Sequence, residues 1–230
     1  MRGAPPHPEI LGFNIYFENK TWKVMMIANL QSPILSPAEY LAWEADQNTK
    51  HEYENGKIIA MTVGTIPHSQ ISANLAALLI PHLRGKGCKV AISDAKVTTP
   101  SGKYYYPDLI VTCDDRDRFA RDFLQYPTII VEVLSPATEA RDRGIKQQHY
   151  MLIETLQTYI LITPDRPRIE IYQRRSDLAW EYLSIAIEPT DLEGKNKTND
   201  PLIQIASLDL TFPLSILYEN INFPSESNDL

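Results

Sequence analysis

Residues 104–150, YYYPDLIVTCDDRDRFARDFLQYPTIIVEVLSPATEARDRGIKQQHY, decide how the chain is read. They hold two apolar, strand-like runs, and each carries one carboxylate where a hydrophobe is expected. The first run is Asp108-Leu109-Ile110-Val111-Thr112, entered through Pro107. The second spans Thr128 to Leu134, with Glu132 inside it. Strand side chains alternate between faces. Asp108, Ile110 and Thr112 therefore share a face of the first strand, and Ile130, Glu132 and Leu134 share a face of the second. If the strands pair, both carboxylates meet at one edge of a sheet. An unpaired buried carboxylate costs several kcal/mol, so two of them in the most apolar strands imply a cation held there.

The next residues supply more charge. Ser135-Pro136 breaks the strand, and Ser135 or Thr138 is available to cap a helix. That helix reads through Asp142, Lys146, His149, Tyr150 and Ile153. Asp142 and Lys146 are four apart and share a face, which lets Lys146 reach back to the carboxylate edge. Each part has an ordinary explanation. Pro-Asp before a strand is a common turn, Glu132 can serve as a structural partner of an Arg, and an i,i+4 Asp–Lys pair is usually a solvated helix pair. The combination is sharper than any part.

That combination resembles the PD-(D/E)XK nuclease superfamily and, more closely, the Uma-two family of restriction endonuclease-like proteins. The resemblance covers roughly residues 30–220. It rests on Glu39-Tyr40-Leu41, Glu52 with Gly56-Lys57-Ile58-Ile59, His68, Pro107-Asp108, Glu132-Val133-Leu134-Ser135-Pro136, Asp142 with Lys146 and Tyr150, and Tyr159-Ile160-Leu161. It implies an α/β, restriction endonuclease-like core, a central mixed β-sheet flanked by helices. It further implies metal-dependent hydrolysis of phosphodiester bonds in DNA, with Mg²⁺ or Mn²⁺ held by Asp108, Glu132 and the Val133 carbonyl. Lys146 is then the catalytic base or positioning cation, and Asp142 positions it. Glu52, His68 and Ser135 are supporting residues. The superfamily motif places a lysine two residues after the glutamate, where this chain has Leu134, so the lysine has to come from the helix as Lys146. The same departure favours a second reading, a nucleic-acid-binding or interaction protein that has lost efficient chemistry. A third, a dimerisation module, would leave the two carboxylates paired to arginine.

Composition sets outer bounds. A chain of 230 residues with 43% hydrophobic and 22% charged content suits one globular domain with a real core. Three segments are expected: a loose arm over residues 1–25, a domain over 26–222 and a tail over 223–230. No apolar run reaches the ~20 residues a membrane helix needs. Cys88 and Cys113 match no metal or disulfide spacing and suit a reducing cytoplasm. The net charge of −7 argues mildly against nucleic acid. Between Ser135 and Arg175, however, seven bases face five acids, enough for a modest basic face. A homodimer is expected from the mechanism alone, since cutting both strands with one site per chain calls for two chains.

Elsewhere the pattern is conventional. Ser36-Pro37-Ala38-Glu39 predicts a capped helix. His51 to Met61 predicts a hairpin turned at Asn55-Gly56. Glu52 there reads equally as an outer member of the metal site and as a surface residue. Ile71, Leu75, Leu78, Leu79 and Leu83 predict a helix packed across the sheet, with His68 at its start. Residues 114–126 read as a mobile, charged connector. Strands are expected at Thr158–Thr163, Ile169–Arg174 and Glu181–Ile185, a short strand at Ser207–Leu210 and a closing helix at Pro213–Tyr218, with Asp191–Asp200 a polar loop.

Overall fold

The computed structural model describes residues 16–18, 21–23, 34–193 and 200–223. The chain divides into two compact units, Met1–Ile34 and Leu35–Leu230. In the first, β1 (Tyr16–Glu18) pairs antiparallel with β2 (Thr21–Lys23). The expected loose arm otherwise lies outside the described residues, as does the tail from residue 224.

In the second unit local signals are obeyed closely. Helix α1 (Pro37–Glu44) has its capping box: Ser36 N donates to Glu39 Oε2 at 2.8 Å, and Glu39 N donates to Ser36 Oγ at 3.3 Å. Asn55 and Gly56 both take positive φ, 51° and 86°. That closes the hairpin of β3 (His51–Glu54) and β4 (Lys57–Ala60). Helix α2 (Ile66–Leu83) starts at Thr65, whose Oγ1 accepts from His68 N at 3.4 Å.

Two sheets follow. The larger has six strands in the order β13-β12-β11-β10-β8-β5. These are β5 (Lys89–Ile92), β8 (Leu109–Thr112), β10 (Ile129–Val133), β11 (Thr158–Thr163), β12 (Arg168–Arg174) and β13 (Trp180–Ala186). Within this sheet only β10 and β11 run parallel, joined by a helical crossover. The crossover comprises α3 (Glu139–Arg141), a π-helical turn at Asp142–Lys146 and α4 (Gln147–Met151). The smaller sheet has the order β4-β3-β7-β6-β9, adding β6 (Lys96–Thr98), β7 (Tyr104–Tyr105) and β9 (Phe123–Leu124). The chain leaves β7 and enters β8 through Tyr106-Pro107-Asp108, so Asp108 stands where the sheets meet. A short helix, α5 (Pro189–Glu193), opens the expected polar loop; residues 194–199 lie outside the described residues.

The six-stranded sheet has two different faces. On one, α2 lays Ile71, Leu75, Leu79 and Leu83 over Leu109, Val111, Ile129, Val131 and Val133. On the other, Ile110, Ile130, Leu134, Tyr150, Tyr159 and Leu161 form a second core with the crossover helices. The alternation expected from the sequence is therefore the alternation of two cores.

Four expectations are corrected. The connector 114–126 is ordered. Asp117 is buried and accepts from Gln125 N, Tyr126 N and Thr112 Oγ1, while Arg116 clasps Asp114 and Glu154 and lies 3.6 Å from the Tyr126 ring centre. Cys88 and Cys113 form a disulfide. Lys89 opposes Thr112 in the β5–β8 ladder, so the residues just beyond, far apart in sequence, become cross-strand neighbours. The basic stretch is largely spent on internal partners, with Arg166 and Arg175 left on the surface. Arg141, Arg143 and Arg168 are paired with carboxylates, and Arg174 donates to the carbonyls of Met151, Ile153 and Glu154. Finally, the expected strand at Ser207–Leu210 is a 3₁₀ turn (Ala206–Leu208) between paired strands β14 (Leu202–Ile205) and β15 (Leu210–Pro213). The closing 3₁₀ helix runs Leu214–Tyr218.

Candidate active site

The β8–β10 ladder pairs Ile110 with Ile130 and Leu109 with Val131. One step further, Asp108 and Glu132 fall opposite each other, as the alternation implies. Their surroundings differ. The Asp108 Oδ2 atom accepts from the backbone N of Val133 at 2.7 Å and lies 3.2 Å from His68 Nε2. It keeps some access to solvent, with 15% of the side chain exposed. Glu132 is buried and accepts from the Tyr150 hydroxyl at 3.0 Å.

Lys146 supplies the centre. Its Nζ lies 2.7 Å from Glu132 Oε1, 3.0 Å from Glu52 Oε1 and 3.0 Å from Asp142 Oδ1, with 4% of the side chain exposed. The π turn at Asp142–Lys146 is a local widening of the kind found at functional sites. The Asp142 carbonyl at its start accepts from the Tyr159 hydroxyl at 2.9 Å. The predicted reach of Lys146 to the Glu132 edge is thus met. Its partners are Glu132, Glu52 and Asp142, and Asp108 is engaged by His68 instead.

Glu52 is buried on β3, which removes its reading as a surface residue. It is shared between Lys146 and Arg141, whose Nη1 lies 2.8 Å from Glu52 Oε2. Arg141 also reaches Glu54 at 3.2 Å. His68 caps nothing with its side chain; its ring sits between Asp108 and the Val133 carbonyl. Gly64 makes room for that ring, since a Cβ there would come within 2.9 Å of Nδ1. Ser135 acts on the turn alone: its Oγ accepts from Thr138 N at 3.3 Å and lies 3.0 Å from Thr138 Oγ1. Leu134, at the superfamily's lysine position, is buried among Tyr150, Tyr159 and Leu161. Tyr150 is the residue whose contact with the site the sequence did not specify, although its place one turn beyond Lys146 is a signal.

The electrostatics follow from burial and crowding. Burial works against the Lys146 ammonium, but Glu132, Glu52 and Asp142 together hold its pKa well above the ordinary lysine value. Burial pushes Glu132 well above the ordinary carboxylate range, opposed by Lys146 and reinforced by Asp142 and Asp108. For His68, burial favours the neutral ring, yet the hydrogen bond and charge of Asp108 and the Val133 carbonyl prevail and raise its pKa. The cluster holds more carboxylates than cations. One of them, Asp142 Oδ1, is sealed from solvent and has no hydrogen bond, its contact with Lys146 being one of charge alone.

The Uma2 family model, described as Putative restriction endonuclease, matches residues 37–204. The chain belongs to this family. It is 39% identical over 202 residues to the uncharacterized protein slr1290 of Synechocystis sp., covering 86% of this chain and 100% of that one. A second Synechocystis sp. relative, the uncharacterized protein sll1609, is 30% identical over 176 residues, covering 74% and 97%. The fold is similar to the crystal structure of a putative nuclease of DUF820 from Anabaena variabilis. The TM-score is 0.63 at 19% identity, over 80% of this chain and 97% of that chain. The Uma2 match covers α1 to β14, and with them the whole Asp108–Glu132–Lys146 cluster.

Proposed function

We propose that this Uma2 protein is a divalent-metal-dependent endonuclease that hydrolyses phosphodiester bonds in DNA. The observation that carries the reading is the Lys146 ammonium, buried 2.7 Å from Glu132 and reaching it from the crossover that follows β10. The third reading, a module with its strand carboxylates paired to arginine, loses ground. Arginine pairs with Glu52 and Glu54, while Glu132 is held by Lys146 and Asp108 by His68.

The residues present fit a hard cation. Asp108, Glu132 and the Val133 carbonyl offer oxygen donors only, and the carboxylate excess calls for positive charge. Among the described residues no set of three side-chain ligands is already disposed around one point. Water would complete the shell, as Mg²⁺ prefers. When bound, Mg²⁺ or Mn²⁺ supplies a Lewis acid and a more acidic water. The chain's own contribution is position and charge. Held in its charged form, Lys146 Nζ acts as donor and cation toward the phosphate and its attacking water, and is a poor proton acceptor. Asp142 and Glu52 fix the lysine stem. His68 Nε2 orients the Asp108 carboxylate, and the Tyr150 hydroxyl orients Glu132.

Among the described residues no helix is long and apolar enough to cross a membrane. The cytoplasmic setting expected from two unpaired cysteines loses that support, because the cysteines pair; it stays in the proposal on the substrate alone. A homodimer likewise remains an expectation of double-strand cleavage. The deciding experiment is cleavage of plasmid and single-stranded DNA with Mg²⁺ or Mn²⁺ against EDTA. Wild type should cut only with metal and Asp108→Ala should not. Equal cutting by both, or metal-independent cutting, would sink the proposal.

A further inference from the structure

Lys103 and Lys146 are the two buried lysines among the described residues, and they are opposites. Lys146 has three carboxylates within 3.0 Å. Lys103, 6% exposed, makes no ion pair or side-chain hydrogen bond among the described residues. Its ammonium is not one of the fully sealed, unpartnered atoms, so it keeps a narrow opening to solvent. A buried charge without a partner is costly, and this one is not there by looseness of the chain. Lys103 N donates to Thr99 Oγ1 at 3.2 Å, Thr99 N donates to Lys103 O at 3.0 Å, and Gly102 closes the turn at a φ of 72°.

The surroundings point to an anion. By strand alternation Lys103 shares a face with Tyr105. The Tyr105 hydroxyl lies 2.6 Å from His149 Nδ1, and the two rings stack. The Tyr105 ring centre is also 5.6 Å from Lys146 Nζ, which ties this corner to the candidate active site. Burial and the nearby Lys103 charge lower the His149 pKa, keeping the ring neutral, and burial raises that of Tyr105. The contact lets the phenol donate to Nδ1, which leaves the ring proton on Nε2. The acid whose charge reaches His149, Glu54, is engaged by Arg141. A cation and an N–H donor, with no acid left for them, match an anion with two acceptor oxygens.

We propose that Lys103 and His149 form a subsite for a second phosphodiester of the bound DNA strand, beside the phosphate handled at Lys146. This rests on the nuclease reading. The test is fluorescence anisotropy of a labelled single-stranded oligonucleotide in EDTA, where no metal-dependent cutting occurs, over a series of salt concentrations. Lys103→Met should weaken binding at least tenfold and lower the slope of log affinity against log salt by about 0.7, one single-strand phosphate contact. Lys103→Arg should stay within about threefold of wild type, since it keeps the charge. Wild-type affinity and slope in Lys103→Met would overturn the subsite. So would inorganic phosphate competing as well as unlabelled oligonucleotide, which would reassign it to a free anion. If Lys103→Met does not fold, wild type is probed with oligonucleotides carrying one methylphosphonate at a time. One position should lose affinity, and uniform binding would overturn the proposal. A wild type that binds in EDTA yet never cuts with Mg²⁺ would sink the nuclease reading and leave the subsite standing.

Discussion

The two faces of the six-stranded sheet are built from the same strands and differ in kind. The α2 face is a continuous apolar layer, with Leu75, Leu79, Val131 and Ile160 all buried and no charged group among them. The crossover face starts the same way with Ile110, Ile130 and Leu161, then gives way to Glu132, Lys146, Asp142, Tyr150 and Glu170. Burying those charges stabilises little or nothing in itself. The chain carries them because the apolar face already supplies the packing. One side of a strand can then hold the fold while the other, one residue out of phase, holds a charge cluster.

The sharpest way to break this comparison is Lys146→Ala. Cleavage should fall by about 10²–10⁴-fold, the range for a positioned catalytic group. Because Glu132 and Asp142 lose their cation and Glu52 keeps only Arg141, stability should fall by about 3 kcal/mol. Mg²⁺ should restore part of the thermal midpoint, and denaturation with and without the ion checks this. If the variant cuts like wild type, Lys146 belongs to the fold alone.

The opposite face should show the converse. Leu75→Ala leaves a cavity under α2 and should cost about 3 kcal/mol. Urea unfolding measures it, and kcat well below the midpoint should be unchanged. Reducing the Cys88–Cys113 bond, which closes a separation of 25 residues, should cost about 3 kcal/mol in the chain-entropy account. The midpoint with and without reductant, using Cys88→Ser with Cys113→Ser as control, tests it. A reductant effect that persists in the double variant would discount the bond.

How much of this was legible in the sequence depended on range. The faces of β8 and β10, the Asn55-Gly56 hairpin and the stripe of α2 are local patterns, and they read correctly. The link from Asp142 to Lys146 is also local and survives even the π turn. Glu52 read two ways, as an outer site member and as a surface residue, because its burial depends on the second sheet packing against the crossover helix. The cysteines did not read, because spacing along the chain carries no register between β5 and β8. The connector 114–126 looked mobile from its charges, yet Asp117 uses its charge to hold two backbone N–H groups, which composition cannot show. The basic face shrinks for a related reason: a count of arginines does not say which are spent on internal carboxylates and carbonyls.

The smallest change sharpens the comparison most. Tyr150 belongs to both halves of the crossover face: its ring packs with Tyr105 and Tyr159, and its hydroxyl donates to Glu132 Oε1 at 3.0 Å. Burial raises its pKa well above the ordinary tyrosine value, so the hydroxyl stays protonated and donates. Tyr150→Phe keeps the ring and removes only that hydrogen bond. Lys146 still holds Glu132, so the stability cost should be about 1 kcal/mol, the usual net worth of such a bond. The larger consequence is orientational. A group that aligns a metal ligand affects metal affinity by about 10–100-fold when removed, so the Mg²⁺ concentration for half-maximal cleavage should rise while the rate at saturating Mg²⁺ changes little. Titrating Mg²⁺ against cleavage rate separates the two effects. A stability loss with an unchanged Mg²⁺ profile would assign Tyr150 to packing and remove Glu132 from the ligands that the hydroxyl aligns.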